Sequence, residues 1–289
     1  MSLNPIAVEE LVRRALMEDV GPGDLTTSAV VPADARCTAT IVAGADGIVC
    51  GPPVARAAFL ALDPTLVYEP LAPEGSEIAA GAAVASISGM ARPILSAERV
   101  ALNLMQKMSG IATATRRLAD AIKYYHARLV AGWQTTPGLR LIEQYAVRIG
   151  GGQNQPHGLG DAILIRAGHL VLAGGVREAV VAARKSAPPT TRVAVEVSTL
   201  EQVQEGLDAG ADILALGSVE PETLKRAVEL ADGKAVVEAC GSSDAAHLIE
   251  IAKTGVDIIS VCHLAHSAKA LPLSLSIGDH SAWKKKPED

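Results

Sequence analysis

The stretch ARLVAGWQTTPGLRLIEQYAVRIGGGQNQPHGLGDAILIRAGHL, residues 127–170, decides the fold of this chain. Its hydrophobic pattern predicts a strand over 128–130, a loop, a helix over 139–149, a glycine-rich loop over 150–160, a strand over 162–165 and another loop. Both predicted strands therefore send the loops that follow them to the same edge of a sheet. In α/β folds that edge carries the active site.

The alternation of strand and helix continues after this stretch. Further strands are predicted over 192–197, 213–216, 235–239 and 258–261. Amphipathic helices lie between them, and strand starts about 20 to 30 residues apart imply parallel strands with right-handed crossovers. Because no G-x-G-x-x-G sequence follows a strand, we favour an incomplete (β/α) TIM-like barrel over an open dinucleotide-binding sheet.

The first part of the chain has a different pattern. Residues 6–18 have the spacing of an amphipathic helix, and residues 38–89 predict short strands around one helix. Residues 94–124 return to helix, with a predicted break at Ser109 and Gly110. We therefore expect an N-terminal α+β sandwich domain over 1–115 and a barrel domain over 116–289. Part of the C-terminus is a candidate to pack on the sandwich.

The composition is typical of a globular protein and argues against several classes. Of 289 residues, 49% are hydrophobic and 20% are charged, so the chain can bury a large core. A net charge of -6 argues against a nucleic-acid partner, and the lack of a long apolar run argues against a membrane span or a signal peptide. We expect a soluble, cytoplasmic protein. Four widely spaced cysteines without a CxxC pair predict neither a zinc site nor a disulfide framework.

Motifs along almost the whole chain resemble the quinolinate phosphoribosyltransferase family. They include TTPGLR at 135–140, YAVR at 145–148, GGG at 150–152, EDVGPGDLTT at 18–27, ERVALN at 98–103 and SGIATATRR at 109–117. The resemblance implies an incomplete α/β barrel joined to an N-terminal α/β sandwich. It also implies a homodimer in which one subunit's sandwich covers the partner's barrel mouth. The reaction it implies makes nicotinate mononucleotide from quinolinate and magnesium-bound phosphoribosyl pyrophosphate.

The chain departs from the family pattern at several positions that the resemblance assigns to substrate. The family runs Asp-Thr-Arg-Lys-Thr where this chain has AGWQT at 131–135, Asn-His-Arg where it has NQP at 154–156, and Lys-Asp-Asn-His where it has RAGH at 166–169. The family substrates carry several negative charges, which a site must compensate with cations. Each lost charge-assisted hydrogen bond costs about 1.5 to 3 kcal/mol, so the parent reaction is predicted not to run at a useful rate.

Other family positions are kept. By resemblance, Arg99 matches an arginine sent across the dimer interface, and Glu196 matches an acid that helps to place magnesium phosphoribosyl pyrophosphate. Together with residues at the rewritten positions and strand ends, they give a set of candidate site residues. The candidates for substrate binding are Trp133, Gln134, Gln155, His157, Arg99, Arg140, Arg166 and Ser218, and the candidates for catalysis are Glu196, Cys240, Cys262, His263 and His169.

The first hypothesis is a scaffold of this family with a rewritten, less cationic active site, engineered or diverged to act on a neutral aromatic ligand. Trp133 would stack on the ligand, and the amides of Gln134 and Gln155 would hydrogen-bond to it. Glu196, in a less polar pocket, would have a raised pKa and abstract a proton as a general base. In the alternative, Arg140 or Arg166 pairs with Glu196 and leaves it a structural anion.

Hydrolysis by a cysteine and histidine pair is a second possible chemistry. Cys240 or Cys262 would be activated by His157, His169 or His263 if the strand ends converge. The competing interpretation treats both cysteines as small buried hydrophobic residues at strand ends.

Two further functions stay open, namely residual nicotinate-nucleotide pyrophosphorylase activity and an inactive pseudoenzyme. The residual activity would depend on Arg99, Arg140, Arg166 and Glu196. No cofactor is predicted, and magnesium is expected only if the parent reaction survives. No histidine pair has the i, i+4 spacing of a helical metal site. The expected partners are a small-molecule ligand and a second copy of the chain, with no nucleic acid and no membrane.

Overall fold

A computed structural model describes residues 3–217, 219–241 and 244–278. Its contacts divide the chain into two compact units, each built from separate segments. The first unit takes in Met1–Ala114, Thr136–Gly150 and Ala268–Asp289, and the second takes in Thr115–Thr135 and Gly151–Ser267. The helix of the stretch at 127–170 therefore belongs to the first unit, whereas both of its strands belong to the second.

The helices and strands run in the following order. Up to the long central helix they are α1 Pro5–Val20, α2 Leu25–Val30, β1 Arg36–Ala43, β2 Gly47–Ile48, α3 Pro52–Leu62, β3 Val67–Pro70, β4 Glu77–Ile78, β5 Ala83–Met90 and α4 Ala91–Ile122. After it come β6 Arg128–Ala131, α5 Arg140–Ile149, β7 Gln153–Asn154, β8 Ile163–Ile165, α6 Ala167–Ala173, α7 Val176–Ser186, β9 Val193–Val197, α8 Leu200–Asp208, β10 Ile213–Leu216, α9 Pro221–Ala231, β11 Val236–Gly241, α10 Ala245–Ala252, β12 Ile258–Val261 and β13 Leu273–Ile277.

The first unit is built around a four-stranded antiparallel sheet with the strand order β13-β1-β5-β3. Alternate residues of β1 are buried, among them Ala39 and Ile41, and Ile87 of β5 and Phe59 of α3 are fully buried as well. An alternation of period two places every second side chain on the same face of a sheet, which is why this face forms a core. The C-terminal strand β13 pairs with β1, so the end of the described chain completes this sheet.

The predicted break in the central helix at Ser109 and Gly110 is wrong, because α4 is continuous from Ala91 to Ile122. Both small residues instead mark close contacts within the first unit. The Ser109 hydroxyl lies 3.0 Å from the backbone nitrogen of Cys50 and 2.9 Å from its carbonyl oxygen. A side chain at Gly110 would overlap the backbone carbonyl of Lys269. Glycine is therefore present here because of packing and not because the helix ends.

The second unit is an α/β half-barrel of seven parallel strands in the order β7-β6-β12-β11-β10-β9-β8. Val195, Leu214, Ala239 and Ile259, one from each of the four central strands, are all fully buried. By the strand register these four side chains share one face of the sheet, and that face packs against the helices that connect the strands. No ladder joins β7 to β8 within the described residues, so the predicted incomplete barrel is confirmed.

Two elements of the half-barrel differ from the sequence prediction. The glycine-rich loop contains a short strand, β7, which pairs with β6, and the predicted loop after β8 is the helix α6. Leu170 of α6 is half-buried, whereas Val171 and Leu172 are exposed. The seven-residue α6 buries none of its residues fully, which explains why its pattern lacked the signal of a helix packed on a core. Within the described ranges, no helix is both long and apolar enough to cross a membrane.

Gly110→Ala is expected to destabilise the protein although alanine favours helices. The added methyl group has no space beside the backbone of Lys269 and Ala270, so a loss of about 2 kcal/mol or more in the free energy of unfolding is expected. The matched control is Gly168→Ala in α6, where no atom lies within 4 Å of the new Cβ and a gain of up to about 1 kcal/mol is expected. Urea denaturation followed by circular dichroism measures both, and a Gly110→Ala variant as stable as the parent would contradict the packing argument.

Candidate active site

A cavity of about 440 Å³ lies at the carboxyl ends of the half-barrel strands. Three neighbouring strands place one residue each in a single row, because Glu196 of β9 is in register with Ala215 of β10, which is in register with Glu238 of β11. In a second row, Cys240 of β11 is in register with Ser260 of β12. All five residues line the cavity. The parallel register thus converts residues far apart in sequence into one continuous surface.

The cavity lining is mostly apolar and carries negative rather than positive charge. Leucine, valine and alanine side chains form much of it, together with Trp133, whose side chain is 46% exposed. Its carboxyl groups are those of Glu196 and Glu238. Within the described ranges, no lysine, arginine or histidine lines it. A lining of this kind favours an uncharged ligand over a multiply charged anion.

Arg166, at the end of β8, lies beside this lining and binds two of its residues. Its Nε lies 3.1 Å from Oε1 of Glu196, and its guanidinium carbon lies 4.6 Å from the centre of the Trp133 ring. The backbone nitrogen of Ala167 donates to the other Glu196 oxygen at 3.3 Å. The pairing of Glu196 with Arg166 is the alternative that the sequence left open. The sequence analysis expected Glu196 to act as a general base with no cation beside it. The ion pair with Arg166 argues against that role.

The same contact changes the predicted role of Trp133. A cation over the face of an aromatic ring is held by the charge distribution of that ring. Arg166 occupies one face of Trp133, so a ligand that stacks on this ring must use the other face or displace the guanidinium. Trp133 remains a lining residue that an aromatic ligand would meet.

Glu238 is the buried carboxyl group of the cavity, and the sequence analysis missed it. Its side chain is only 9% exposed, and burial raises its pKa. Hydrogen bonds from Ser260 and from Gln155, whose Nε2 lies 2.9 Å from Oε1, oppose this rise, and the charge of Glu196 adds to it. The signal in the sequence was a glutamate inside an apolar strand, two residues before Cys240 and therefore on the same face. Gln155 lies in the cavity as predicted, but its partner is Glu238.

Cys240 and Cys262 are brought together, and each is the hydrogen-bonding partner of the other. The pKa of the Cys262 thiol is lowered to about 6, first because Cys240 donates a hydrogen bond to its thiolate. The charge of His263 and a hydrogen bond from Gln134 act in the same direction, and burial opposes them. The pKa of Cys240 is raised, because it keeps the shared proton and is partly buried. The predicted partner was a histidine, but the structure supplies a second cysteine.

The loop after β6 approaches this pair closely. A side chain at Gly132 would place its Cβ 2.6 Å from the Cys262 Cα and 2.9 Å from Oε1 of Gln134. Only glycine leaves space for both neighbours. Oε1 of Gln134 is buried without a hydrogen-bond partner in the described part of the chain. The Gln134 amide, three residues beyond β6, hydrogen-bonds to Cys262.

The predicted histidines take up other positions. Nδ1 of His169 accepts a hydrogen bond of 2.9 Å from the backbone nitrogen of Arg166, so this ring caps the start of α6. His263 is exposed, and its ring lies edge-on to that of His266 at 5.4 Å. His157 is exposed in the loop after β7. Of these rings, His263 alone acts on Cys262, through its charge rather than as a base in direct contact.

The other candidates are not part of the second unit's cavity lining as described. Arg99 and Arg140 belong to the first unit, where the Arg99 guanidinium lies 2.7 Å from Asp19 and its side chain is 71% exposed. Ser218 lies outside the described residues. The roles of all three remain predictions. Within the described chain, no group of three His, Cys, Asp or Glu residues is arranged to hold a metal ion.

Glu238→Gln is expected to remove a pH dependence of stability. The pKa of Glu238 in the folded protein lies above its ordinary value of 4.5, so ionisation of the carboxyl group opposes folding. The parent protein should therefore lose stability as the pH rises from 4.5 through the folded pKa, whereas the variant cannot ionise and should not. Urea midpoints between pH 4.5 and about pH 8 measure the difference. Glu229→Gln, an exposed control on α9, should follow the parent, and an unchanged pH profile in Glu238→Gln would contradict the argument.

Comparison with known proteins relates this chain to one protein family. Two family models match the chain, the quinolinate phosphoribosyl transferase N-terminal domain over residues 24–109 and the C-terminal domain over residues 111–276. A probable nicotinate-nucleotide pyrophosphorylase (carboxylating) of Bacillus subtilis is 35% identical over 275 residues, which cover 95% of each protein. Its counterpart in Synechocystis is 38% identical, over 94% of this chain and 93% of that protein.

A solved structure agrees with these relatives. The nicotinate-nucleotide pyrophosphorylase from Francisella tularensis is 37% identical and superposes with a TM-score of 0.90, covering 96% of this chain and 98% of that one. The similarity therefore covers both the N-terminal and the C-terminal domain of the family and almost the full length of each protein. The chain belongs to the quinolinate phosphoribosyl transferase family, as its motifs predicted.

Proposed function

We propose that the protein carries out the nicotinate-nucleotide pyrophosphorylase reaction of its relatives at a low residual rate. In this reaction, quinolinate and phosphoribosyl pyrophosphate give nicotinate mononucleotide, with pyrophosphate as the leaving group and one carboxylate of quinolinate released as carbon dioxide. The observation that carries the proposal is similarity of 35 to 38% identity over more than nine-tenths of the chain to proteins of that name. The family residues Arg99, Arg140 and Glu196 are present in this chain to support it, and Arg166 keeps a positive charge where the family has a lysine.

The rate is expected to be low because of the charge of the cavity. Both substrates are multiply charged anions, and they would approach the carboxyl groups of Glu196 and Glu238. Two like charges about 6 Å apart repel by about 3 kcal/mol at an effective dielectric constant of about 20. A penalty of that size slows a reaction about a hundredfold.

Arg166 is the cation best placed to reduce this penalty. In the structure described here its guanidinium is paired with Glu196 and packed on Trp133. A substrate carboxylate or phosphate must compete with both contacts, although an arginine fork is well suited to either group. Magnesium would arrive with phosphoribosyl pyrophosphate, and Glu196 would have to leave Arg166 to contact it. The proposal therefore assigns Arg166 to substrate binding and Glu196 to positioning.

Turnover of quinolinate and phosphoribosyl pyrophosphate, with nicotinate mononucleotide measured by mass spectrometry, tests this proposal. We expect a rate constant below about 0.1 per second, compared with about 1 to 10 per second for an ordinary enzyme. Arg166→Ala should lower it at least about tenfold further. The matched control is Arg184→Ala, which removes a similar ion pair, 2.7 Å to Asp212, from a residue that does not line the cavity.

Three results would contradict the proposal or one of its parts. Product formation no faster than without protein would exclude the retained reaction. Turnover at an ordinary rate would exclude the argument from cavity charge. Equal activity of Arg166→Ala and Arg184→Ala would remove Arg166 from the substrate site.

A second candidate function is favoured by the cavity lining itself. Trp133, the Gln155 amide and the apolar side chains suit an uncharged aromatic ligand, which meets no electrostatic penalty here. Glu238 is then the carboxyl group best placed for proton transfer, because its raised pKa allows it to exchange a proton closer to neutral pH. Cleavage of an uncharged aromatic ester that is lost in Glu238→Gln and kept in Arg184→Ala would favour this function. A protein that neither turns over these substrates nor binds them would be a pseudoenzyme.

A further inference from the structure

We propose that Cys240 and Cys262 form a thiol–disulfide exchange site, in which Cys262 attacks a small disulfide and Cys240 resolves the mixed disulfide. The site lies in the cavity described above but does not depend on phosphoribosyl transfer. It can be tested without either family substrate, so its failure and that of the proposed function are separate results.

The two cysteines meet where the neighbouring strands β11 and β12 end. Cys240 is in register with Ser260 on the neighbouring parallel strand, and Cys262 is two residues beyond Ser260. Cys262 lies in the turn that directly follows β12, and both cysteines line the cavity. The thiols are in hydrogen-bonding contact, the arrangement from which a second thiol can displace a group from the first. The glycine at 132 leaves the space that Cys262 occupies.

Cys240 and Cys262 are accessible from the cavity, whereas the two other cysteines do not readily form a thiolate. Cys240 and Cys262 are half-buried and line the cavity. Cys50 is fully buried, and Cys37 is half-buried on β1 in the first unit. Burial raises the pKa of both Cys50 and Cys37, so neither forms a thiolate readily. The thiolate is the nucleophile in disulfide exchange, and Cys262 is the cysteine that its surroundings favour as a thiolate.

The exchange runs in two balanced steps. In the first, the Cys262 thiolate attacks one sulfur of a disulfide RSSR, a bond forms from Sγ of Cys262 to that sulfur, and RS⁻ leaves with the electron pair of the broken bond. In the second, Cys240 gives its proton to the departing thiolate or to water and attacks Sγ of Cys262. The intramolecular disulfide forms and the second RS⁻ leaves. Two cysteine thiols are oxidised, and one small disulfide is reduced to two thiols.

The cavity also selects the kind of disulfide. Glu196 and Glu238 line the same surface as the thiol pair, and no cationic side chain among the described residues lines it. Because Arg166 is paired with Glu196, the carboxyl group without a cationic partner on the described surface is that of Glu238. Its charge repels an anionic disulfide such as glutathione disulfide and attracts the dication cystamine. We therefore assign the site to small neutral or cationic disulfides. Cationic disulfides should therefore react faster than anionic ones, because electrostatic attraction raises the rate of encounter with the cavity.

The first experiment measures reactivity on the full-length protein. Limited alkylation with iodoacetamide near neutral pH, followed by peptide mass spectrometry, should modify Cys262 at least about tenfold faster than Cys37. Cys240→Ala should slow the alkylation of Cys262, because the hydrogen bond to the thiolate is lost, whereas Cys240→Ser keeps a donor and should preserve it. Labelling of Cys262 no faster than Cys37 in the parent protein would overturn the proposal.

The second experiment follows the exchange with cystamine. The parent protein should lose two hydrogen atoms in mass and release two equivalents of cysteamine, with a disulfide mapped to Cys240 and Cys262. Cys240→Ser should stop at a mixed disulfide on Cys262, Cys262→Ser should react little, and Cys37→Ser should behave as the parent. Glutathione disulfide should react more slowly than cystamine. A parent protein that keeps the mixed disulfide, or that reacts equally well as Cys262→Ser, would contradict the assignment.

Discussion

The ion pair between Arg166 and Glu196 sets the charge of the cavity and, with it, what the half-barrel can bind. Arg166 is the cation at this edge of the described sheet that contacts a lining carboxylate, and its 3.1 Å contact with Glu196 and its stacking on Trp133 hold it in place. An arginine held in this way neutralises one carboxylate of its own protein before any substrate arrives. The negative charge that remains is that of Glu238, whose burial favours its protonated form. The described cavity lining is thus mostly apolar and carries no cation of its own.

The family fold predicts binding of anionic substrates, whereas the described cavity lining suits uncharged ones. Both the fold and the lining depend on the same parallel sheet. Parallel strands in register bring residues 196, 215 and 238 into one row and residues 240 and 260 into another, whatever side chains they carry. The scaffold therefore tolerates new side chains at its strand ends with little effect on its core, which lies at Val195, Leu214 and Ile259. This separation of framework from strand-end residues allows a chain to keep the fold of its relatives over almost its full length whatever side chains its strand ends carry.

The sequence was sufficient for the half-barrel, because β10 and β12 are short apolar runs between amphipathic helices and the family motifs fix their order. It was not sufficient where a residue's role depends on a partner far along the chain. The helix was predicted to break at Gly110, although this glycine fits against the backbone of Lys269. The burial of Glu238, its bond to Gln155 and the contact of Cys240 with Cys262 depend on sheet register in the same way. The sequence identified both Arg166 and Glu196 as site residues. Only the structure shows that the two side chains form an ion pair.

A fluorescence titration with a matched pair of ligands tests the central claim most directly. Trp283→Phe leaves Trp133 as the single tryptophan and thus as a reporter in the cavity lining. Quinolinate is compared with pyridine-2,3-dicarboxamide, which has a similar shape but no charge. A mostly apolar cavity whose neighbouring arginine is already paired and whose lining carries carboxyl groups should bind the diamide at least about tenfold more tightly, a difference of about 1.4 kcal/mol. Equal or tighter binding of quinolinate would contradict the account, because it would show that Arg166 is available to the substrate despite Glu196.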